Sequence, residues 1–170
     1  MNIKIGKEKL SPDNEREYRT VFKKCFPAES WKVSVPFVAD QFYAIRIDTA
    51  LVGFCCVHDT PPYKLSVDNG VWIYNFCVDP SYQKQGHGLA LMQTTMTDYP
   101  KKLLHVETNN VAGQQFVERA GFRKLGLWRQ KFIEYCHGYD VADQTATVAK
   151  EIVKIDRRTY DPDENLIYLS

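Results

Sequence analysis

Long apolar runs are missing from this chain of 170 residues. No stretch approaches the about eighteen apolar residues that a membrane-crossing helix needs. The opening MNIKIGKEKLSPDNEREY carries acidic side chains and no apolar core, so it is not expected to act as a secretory leader. Charge of one sign is scarce: 22 basic and 21 acidic residues leave a net charge of +1. No whole-molecule field therefore draws the chain to nucleic acid or to an anionic membrane, and neither is expected as a partner. Cysteine is sparse and odd in number, five residues without CxxC spacing, which excludes a disulfide framework and a zinc site. Each cysteine reads as a small buried hydrophobe in a reducing compartment, so the cytoplasm is the expected location and no metal is expected. Internal repeats and low-complexity tracts are absent as well.

What is present fits one domain able to bury its own core. A Tyr18, Val21, Phe22, Phe26 stripe predicts a helix over Asp13 to Phe26, stopped by Pro27, with a weaker helical or irregular stretch around Glu29 to Asp40. Phe42 to Ile47 and Leu51 to His58 form a predicted hairpin. Thr60-Pro61-Pro62 and Asp68-Asn69-Gly70 are turn signals around a loop that carries Tyr63 and Leu65. Val71 to Val78, apolar almost throughout, predicts a central strand covered on both faces. A helix over Leu89 to Tyr99, a strand over Lys102 to Thr108 and a helix over Asn110 to Ala120 follow, with Gly121 as its C-terminal cap. Phe122 to Tyr135 reads as one long strand, and Thr145 to Ile155 as a further strand or helix. This order specifies α/β with a mixed central sheet and helices on both faces. Residues 1–155 make the domain, and 156–170 are a C-terminal extension packed on it. Its LIYL segment is a candidate to extend the sheet or to join a second copy, so a homodimer stays open.

Gln83-Lys84-Gln85-Gly86-His87-Gly88 lies between the central strand and a helix. First-turn N–H groups lack intrahelical partners, the helix dipole adds partial positive charge, and glycine removes the β-carbons that would hold an anion away. A pyrophosphate fits over residues 83–89 on these grounds. The same pattern also serves as an ordinary turn. GxxxxGK[ST] is absent, and a dinucleotide fingerprint would need glycine where Leu91 stands.

The run FCVDPSYQKQGHGLALMQ resembles motif A of the GNAT (GCN5-related) N-acetyltransferase superfamily, with Gln83, Gly86 and Gly88 in its defining positions. NNVAGQQFVERAGF resembles motif B at the spacing that family expects, and the two motifs span about residues 71–125. The resemblance implies a sheet splayed at an acyl-CoA site. In it, Cys77 and Val78 pair with the pantetheine amides, and Gln83, Lys84, Gln85, Gly86, His87, Gly88 and Leu89 surround the pyrophosphate. Asn110 touches the pantetheine arm. It also implies acetyl-CoA as acyl donor, an amine acceptor and an acetyl carbonyl polarised by a backbone N–H near Cys77 or Val78. His87 reads as a solvent-facing spacer rather than a phosphate contact, and Lys84 as a surface lysine or a contact to the 3′-phosphate.

Transfer to an amine needs a neutral nucleophile. A lysine-like amine titrates near 10.4, so neutrality at pH 7 costs about 4.6 kcal/mol, whereas a thiolate leaving group needs little help. A base therefore matters more than an acid. The tyrosine that many family members place four residues before the motif B glycine is Val117 here, and Tyr135 or Tyr139 is a candidate substitute. No glutamate stands on the strand before motif A, where Trp72 and Tyr74 line the amine pocket or pack the core. His105 is either the base or a core histidine; imidazole's ordinary range suits a base near neutrality. Glu107, on the same face by alternation, is either a base acting through water or a solvated side chain. The expected reaction is acetyl transfer from acetyl-CoA to a small-molecule amine of polyamine, amino-sugar or amino-acid type. The alternatives are a peptide or protein amine as acceptor, or a module that holds acyl-CoA without turnover.

Overall fold

The computed structural model describes residues 2–27, 39–59, 71–128 and 131–139. Strand β1 (Ile3–Glu8) leads to helix α1 (Pro12–Cys25), then the hairpin β2 (Gln41–Ile47) and β3 (Ala50–His58) and the central strand β4 (Val71–Val78). Helix α2 (His87–Asp98), β5 (Lys102–Glu107), α3 (Val111–Arg119), β6 (Arg123–Trp128) and β7 (Phe132–His137) complete the order. Most of the stretch expected over 29–40, the Tyr63 and Leu65 loop with its turn signals, and the elements and extension expected beyond 139 lie outside the described residues.

The seven strands form one mixed sheet in the order β1-β2-β3-β4-β5-β7-β6. The N-terminal residues, to which the sequence assigned no element, form β1, which pairs antiparallel with β2 from Ile3↔Ile47 to Glu8↔Phe42. One expectation is corrected. The single strand expected over Phe122 to Tyr135 is two, β6 and β7, paired antiparallel through Leu127↔Ile133 and Trp128↔Phe132.

Sequence chemistry accounts for α1. Pro12 opens it, the Ser11 N–H donates to Asn14 Oδ1 at 2.8 Å, Asp13 and Glu15 fill its first turn, and Lys23 and Lys24 its last. Its buried stripe of Tyr18, Val21 and Phe22 packs on one sheet face with Phe42, Phe54, Cys56, Trp72, Tyr74, Cys77 and Phe132. The opposite face packs Ile73, Phe76, Val78, Leu104, Val106, Ile133 and Tyr135 under Leu91 and Met92 of α2 and Val117 of α3. Four cysteines are buried and Cys25 is half-buried, all of them free thiols.

Two irregularities shape the centre. Strand β4 pairs with β5 in parallel only through Val71↔Lys102 and Trp72↔Leu103, so beyond Trp72 the strands part and β4 presents an inner edge. Opposite, Phe54 pairs with Cys77 and Cys56 with Tyr74, leaving Asn75 and Phe76 across from Cys55 alone. Asn75 takes φ 48° in this bulge. The bulge reverses the alternation, sending Tyr74 and Cys77 to the α1 face and Phe76 and Val78 to the other. Gly53 lets β3 approach there, since a β-carbon would stand 2.9 Å from the Cys77 carbonyl oxygen.

Candidate active site

On the α2 side, the opening ends in the 83–88 loop. Gln83 Nε2 donates to the Val78 carbonyl at 2.9 Å, and Gln85 Nε2 to that of Ser81 at 3.2 Å. Gln83 thus ties the loop to the end of β4, and Gln85 ties it to the turn at Pro80–Tyr82. Lys84 and Gly86 hold left-handed φ of 60° and 86°. Gly86 precedes α2 and offers it no capping side chain, and the space where its β-carbon would stand is open to 4 Å. Lys84 and Gln85 are exposed, as is Leu89 at 41%. His87 corrects its expected role as a solvent-facing spacer: it is buried, because the first turn of α2 folds its side chain inward. Gly88 lies against Phe116 and Val78 at ordinary contact distance. Asn110 is the N-cap of α3, its Oδ1 accepting from the Gly113 N–H at 2.9 Å.

On the α1 side, the structure brings together groups from four strands. His105 Nε2 lies 3.1 Å from Glu134 Oε1, both side chains being almost fully buried. The two residues face each other in the β5–β7 register, as Glu107 faces Phe132. Trp72 lies beside the His105 ring at 6.1 Å. Tyr74 stacks on Trp72 at 4.9 Å, and His58 stacks on Tyr74 at 4.7 Å with planes 5° apart. His58 Nδ1 lies 3.3 Å from Asp40 Oδ2, at the exposed end of this row of rings. Glu107, at the end of β5, is half-buried. Tyr74, His105 and Glu107 thus share the α1 face, next to the inner edge of β4.

Tyr135 does not join them. Its side chain packs on the opposite face, and its hydroxyl donates to Glu118 Oε1 of α3 at 3.1 Å. Burial, and then Glu118, push its phenol up to about 12. A proton held that tightly moves uphill to a thiolate whose thiol titrates near 8.5, which weighs against Tyr135 as the acid. Val117, fully buried, has no proton to give. Cys77, at the inner edge, is no nucleophile either, because burial pushes its thiol well above the ordinary value.

Sequence reasoning missed Glu134 and the stack of His58 with its neighbour Asp40. The signal for Glu134 was a carboxylate inside the apolar run FIEYCH. His58 carried no signal beyond ending the hairpin. Among the described residues, no group of three His, Cys, Asp or Glu side chains is placed to hold a metal ion, and no helix is long and apolar enough to cross a membrane.

Comparison with known proteins places this arrangement. The profile described as Acetyltransferase (GNAT) family matches residues 8–122. No curated protein matches the sequence significantly. Among solved structures, a Pyrococcus horikoshii protein is 21% identical with a TM-score of 0.67, over 82% of this chain and 100% of its own. The PaiA N-acetyltransferase of Thermoplasma acidophilum, solved with coenzyme A, is 18% identical with a TM-score of 0.63, over 79% and 98%. A ribosomal-protein alanine N-acetyltransferase of Escherichia coli is 14% identical with a TM-score of 0.57, over 84% and 98%. At these identities the likeness is one of fold.

Proposed function

Since the chain belongs to the GNAT acetyltransferase family, we propose that it moves an acetyl group from acetyl-CoA directly to the primary amine of a small molecule. The carrying observation is the opening between β4 and β5, which has an anion cradle on its α2 side and an imidazole, carboxylate and aromatic cluster on its α1 side.

The residues present fit the donor. A diphosphate needs several N–H groups and no β-carbon in the way, and the uncapped start of α2 beside the left-handed Gly86 meets both needs. Residues 84–89 would hold the pyrophosphate, and Gln83 and Gln85 keep that turn in shape. The inner edge of β4, Cys77 and Val78 included, would pair with the pantetheine amides, and α3 from its Asn110 cap would border the arm. When bound, acetyl-CoA supplies the activated acetyl carbon and a thiolate that leaves with little protonation. A fixed N–H at Cys77 or Val78 stabilises developing negative charge without reorganising.

The acceptor's proton is the larger problem, and His105 receives it, directly or through one water. The wall of Trp72, Tyr74 and His58 gives a cationic amine flat π-faces, and Glu107, Glu134 and Asp40 set negative charge along the same face. That combination supports a small, positively charged amine over a peptide. Burial pushes the thiols of Cys55, Cys56 and Cys77 up, which supports direct transfer over an acyl-enzyme.

The test is thiol release from acetyl-CoA with a panel of polyamines, amino sugars, amino acids and peptides. Turnover with small amines is expected. Turnover on peptides alone would overturn the acceptor class, and tight coenzyme A binding with no amine-dependent release would overturn transfer altogether.

A further inference from the structure

We propose that Glu134 is a positioning residue that holds His105 in one tautomer, with the proton on Nε2 and the lone pair on the buried Nδ1. The inference deepens the reading of His105 as base and rests on it for its kinetic arm only.

An ionised carboxylate accepts hydrogen bonds and donates none, while a neutral imidazole donates from one nitrogen and accepts at the other. With Nε2 3.1 Å from Glu134 Oε1, the imidazole proton belongs on Nε2, and the lone pair is then on Nδ1. The pair is almost fully buried, with side chains 2% and 3% exposed, so water does not compete for the bond. A charge-assisted bond out of solvent is stronger than a neutral one and fixes the ring's rotation as well as its proton. Strand geometry holds both members: they are direct cross-strand neighbours, and the β5–β7 ladder runs unbroken from Lys102↔His137 to Glu107↔Phe132.

The other ionisable groups on this face among the described residues are Glu107 of β5, Cys136 of β7, Tyr74 and Cys77 of β4, His58 and Cys56 of β3, Asp40 just before β2, and Tyr18 and Cys25 of α1. None of them is placed as Glu134 is, against the ring nitrogen. Burial pushes the Tyr18 phenol and the Cys56 and Cys77 thiols up, which leaves Glu134 and Glu107 as the carboxylates that β7 and β5 carry on this face.

Two measurements test this. Long-range ¹⁵N–¹H NMR of the free protein should show His105 as the Nε2–H tautomer, and Glu134→Gln should disturb that state, because an amide can donate as well as accept. In thiol-release assays, Glu134→Gln should lower kcat about 10- to 100-fold. The KM for either substrate should stay within about twofold, and Glu134→Asp should recover part of the rate. An Nδ1–H tautomer in the parent protein would overturn the proposal without any variant. So would a Glu134→Gln protein with parental kcat, or one whose loss lies only in KM. A parent protein that transfers to no amine would instead sink the transfer reading, and the NMR result would still decide the pair.

Discussion

The two sides of the opening between β4 and β5 are made of different materials. On the α2 side, the cradle comes from one short run, 83–88, and its working groups are backbone N–H donors held by a left-handed glycine and two bracing glutamines. On the α1 side, the cluster comes from Asp40, His58, Trp72, Tyr74, His105 and Glu134, residues far apart in the chain that only the sheet brings together. A backbone cradle suits a donor shared by a whole family, since many side chains can vary without harm to it. A side-chain cluster suits an acceptor that differs between members. Donor binding and acceptor chemistry should therefore fail separately when mutated, and the following substitutions test that separation.

The largest expected effect is that of Gly86→Glu. Nothing within 4 Å blocks the new β-carbon, so the fold survives, but φ 86° costs a side chain about 1–2 kcal/mol and the carboxylate repels a diphosphate. Calorimetry should find coenzyme A binding abolished, with a thermal midpoint only modestly lowered; parental binding would break the assignment of the α2 side. Next comes His105→Ala, expected to lower turnover about 10²–10³-fold near pH 7 while coenzyme A affinity stays within about twofold. The deficit should shrink as pH rises toward the acceptor's own pKa, near 10.4 for an alkyl amine, where the base is no longer needed. A rate and pH profile matching the parent would make His105 part of the core.

The difference in materials also explains what the sequence could tell. The cradle was legible because its physics is local: strand, glycine and helix start follow one another within eleven residues, and α1 and the β2–β3 hairpin were local patterns of the same kind. The α1-side cluster was not. Strand β7 lies between β5 and β6, so His105 meets Glu134 across a pairing that no short-range pattern announces. The bulge at Asn75 breaks the alternation that would otherwise place Tyr74 and Phe76 on one face. Strand β1 escaped notice because none of its residues is buried and only Ile5 packs on the core, the rest being held by backbone pairing to β2. The split of β6 from β7 falls between Trp128 and Phe132, where neither glycine nor proline stands to signal it.

Lys102 sharpens the comparison from the closed end of the opening, where β4 and β5 still pair. It is fully buried on the α2 face, and its Nζ has no hydrogen-bond partner among the described residues. Burial lowers its ammonium to about 8 from an ordinary 10.5, against the pull of Cys55 and Asp98. The sign follows from proton counts: between pH 8 and 10.5 the unfolded chain binds more protons than the folded one, so stability rises with pH across that window and is flat below it. Lys102→Met should remove the rise and stabilise the protein at pH 7 by up to about 3 kcal/mol. Chemical denaturation at pH 7 and pH 10 measures both effects. Coenzyme A affinity and amine KM should hardly move, since the paired end serves neither side.

The smallest expected effect belongs to His58, at the exposed end of the stacked rings. Its ring stacks nearly parallel to Tyr74 at 4.7 Å and lies 5.9 Å from Trp72, and Asp40 holds it from behind at 3.3 Å. The same Asp40 oxygen also accepts from the Asp59 N–H at 2.8 Å, so the turn at the end of β3 keeps an anchor when the imidazole is removed. His58→Ala should therefore loosen Tyr74 and Trp72 without unfolding the strand, at the cost of the close stacking contact and the longer one, about 1 kcal/mol. If the rings form the acceptor wall, that loss appears as a rise of about fivefold in amine KM. It should leave kcat near parental and coenzyme A affinity unchanged, because neither His105 nor the α2-side loop is touched. An unchanged amine KM would confine the wall to Tyr74 and Trp72, and a shifted coenzyme A affinity would mean that the two sides of the opening are coupled through β4.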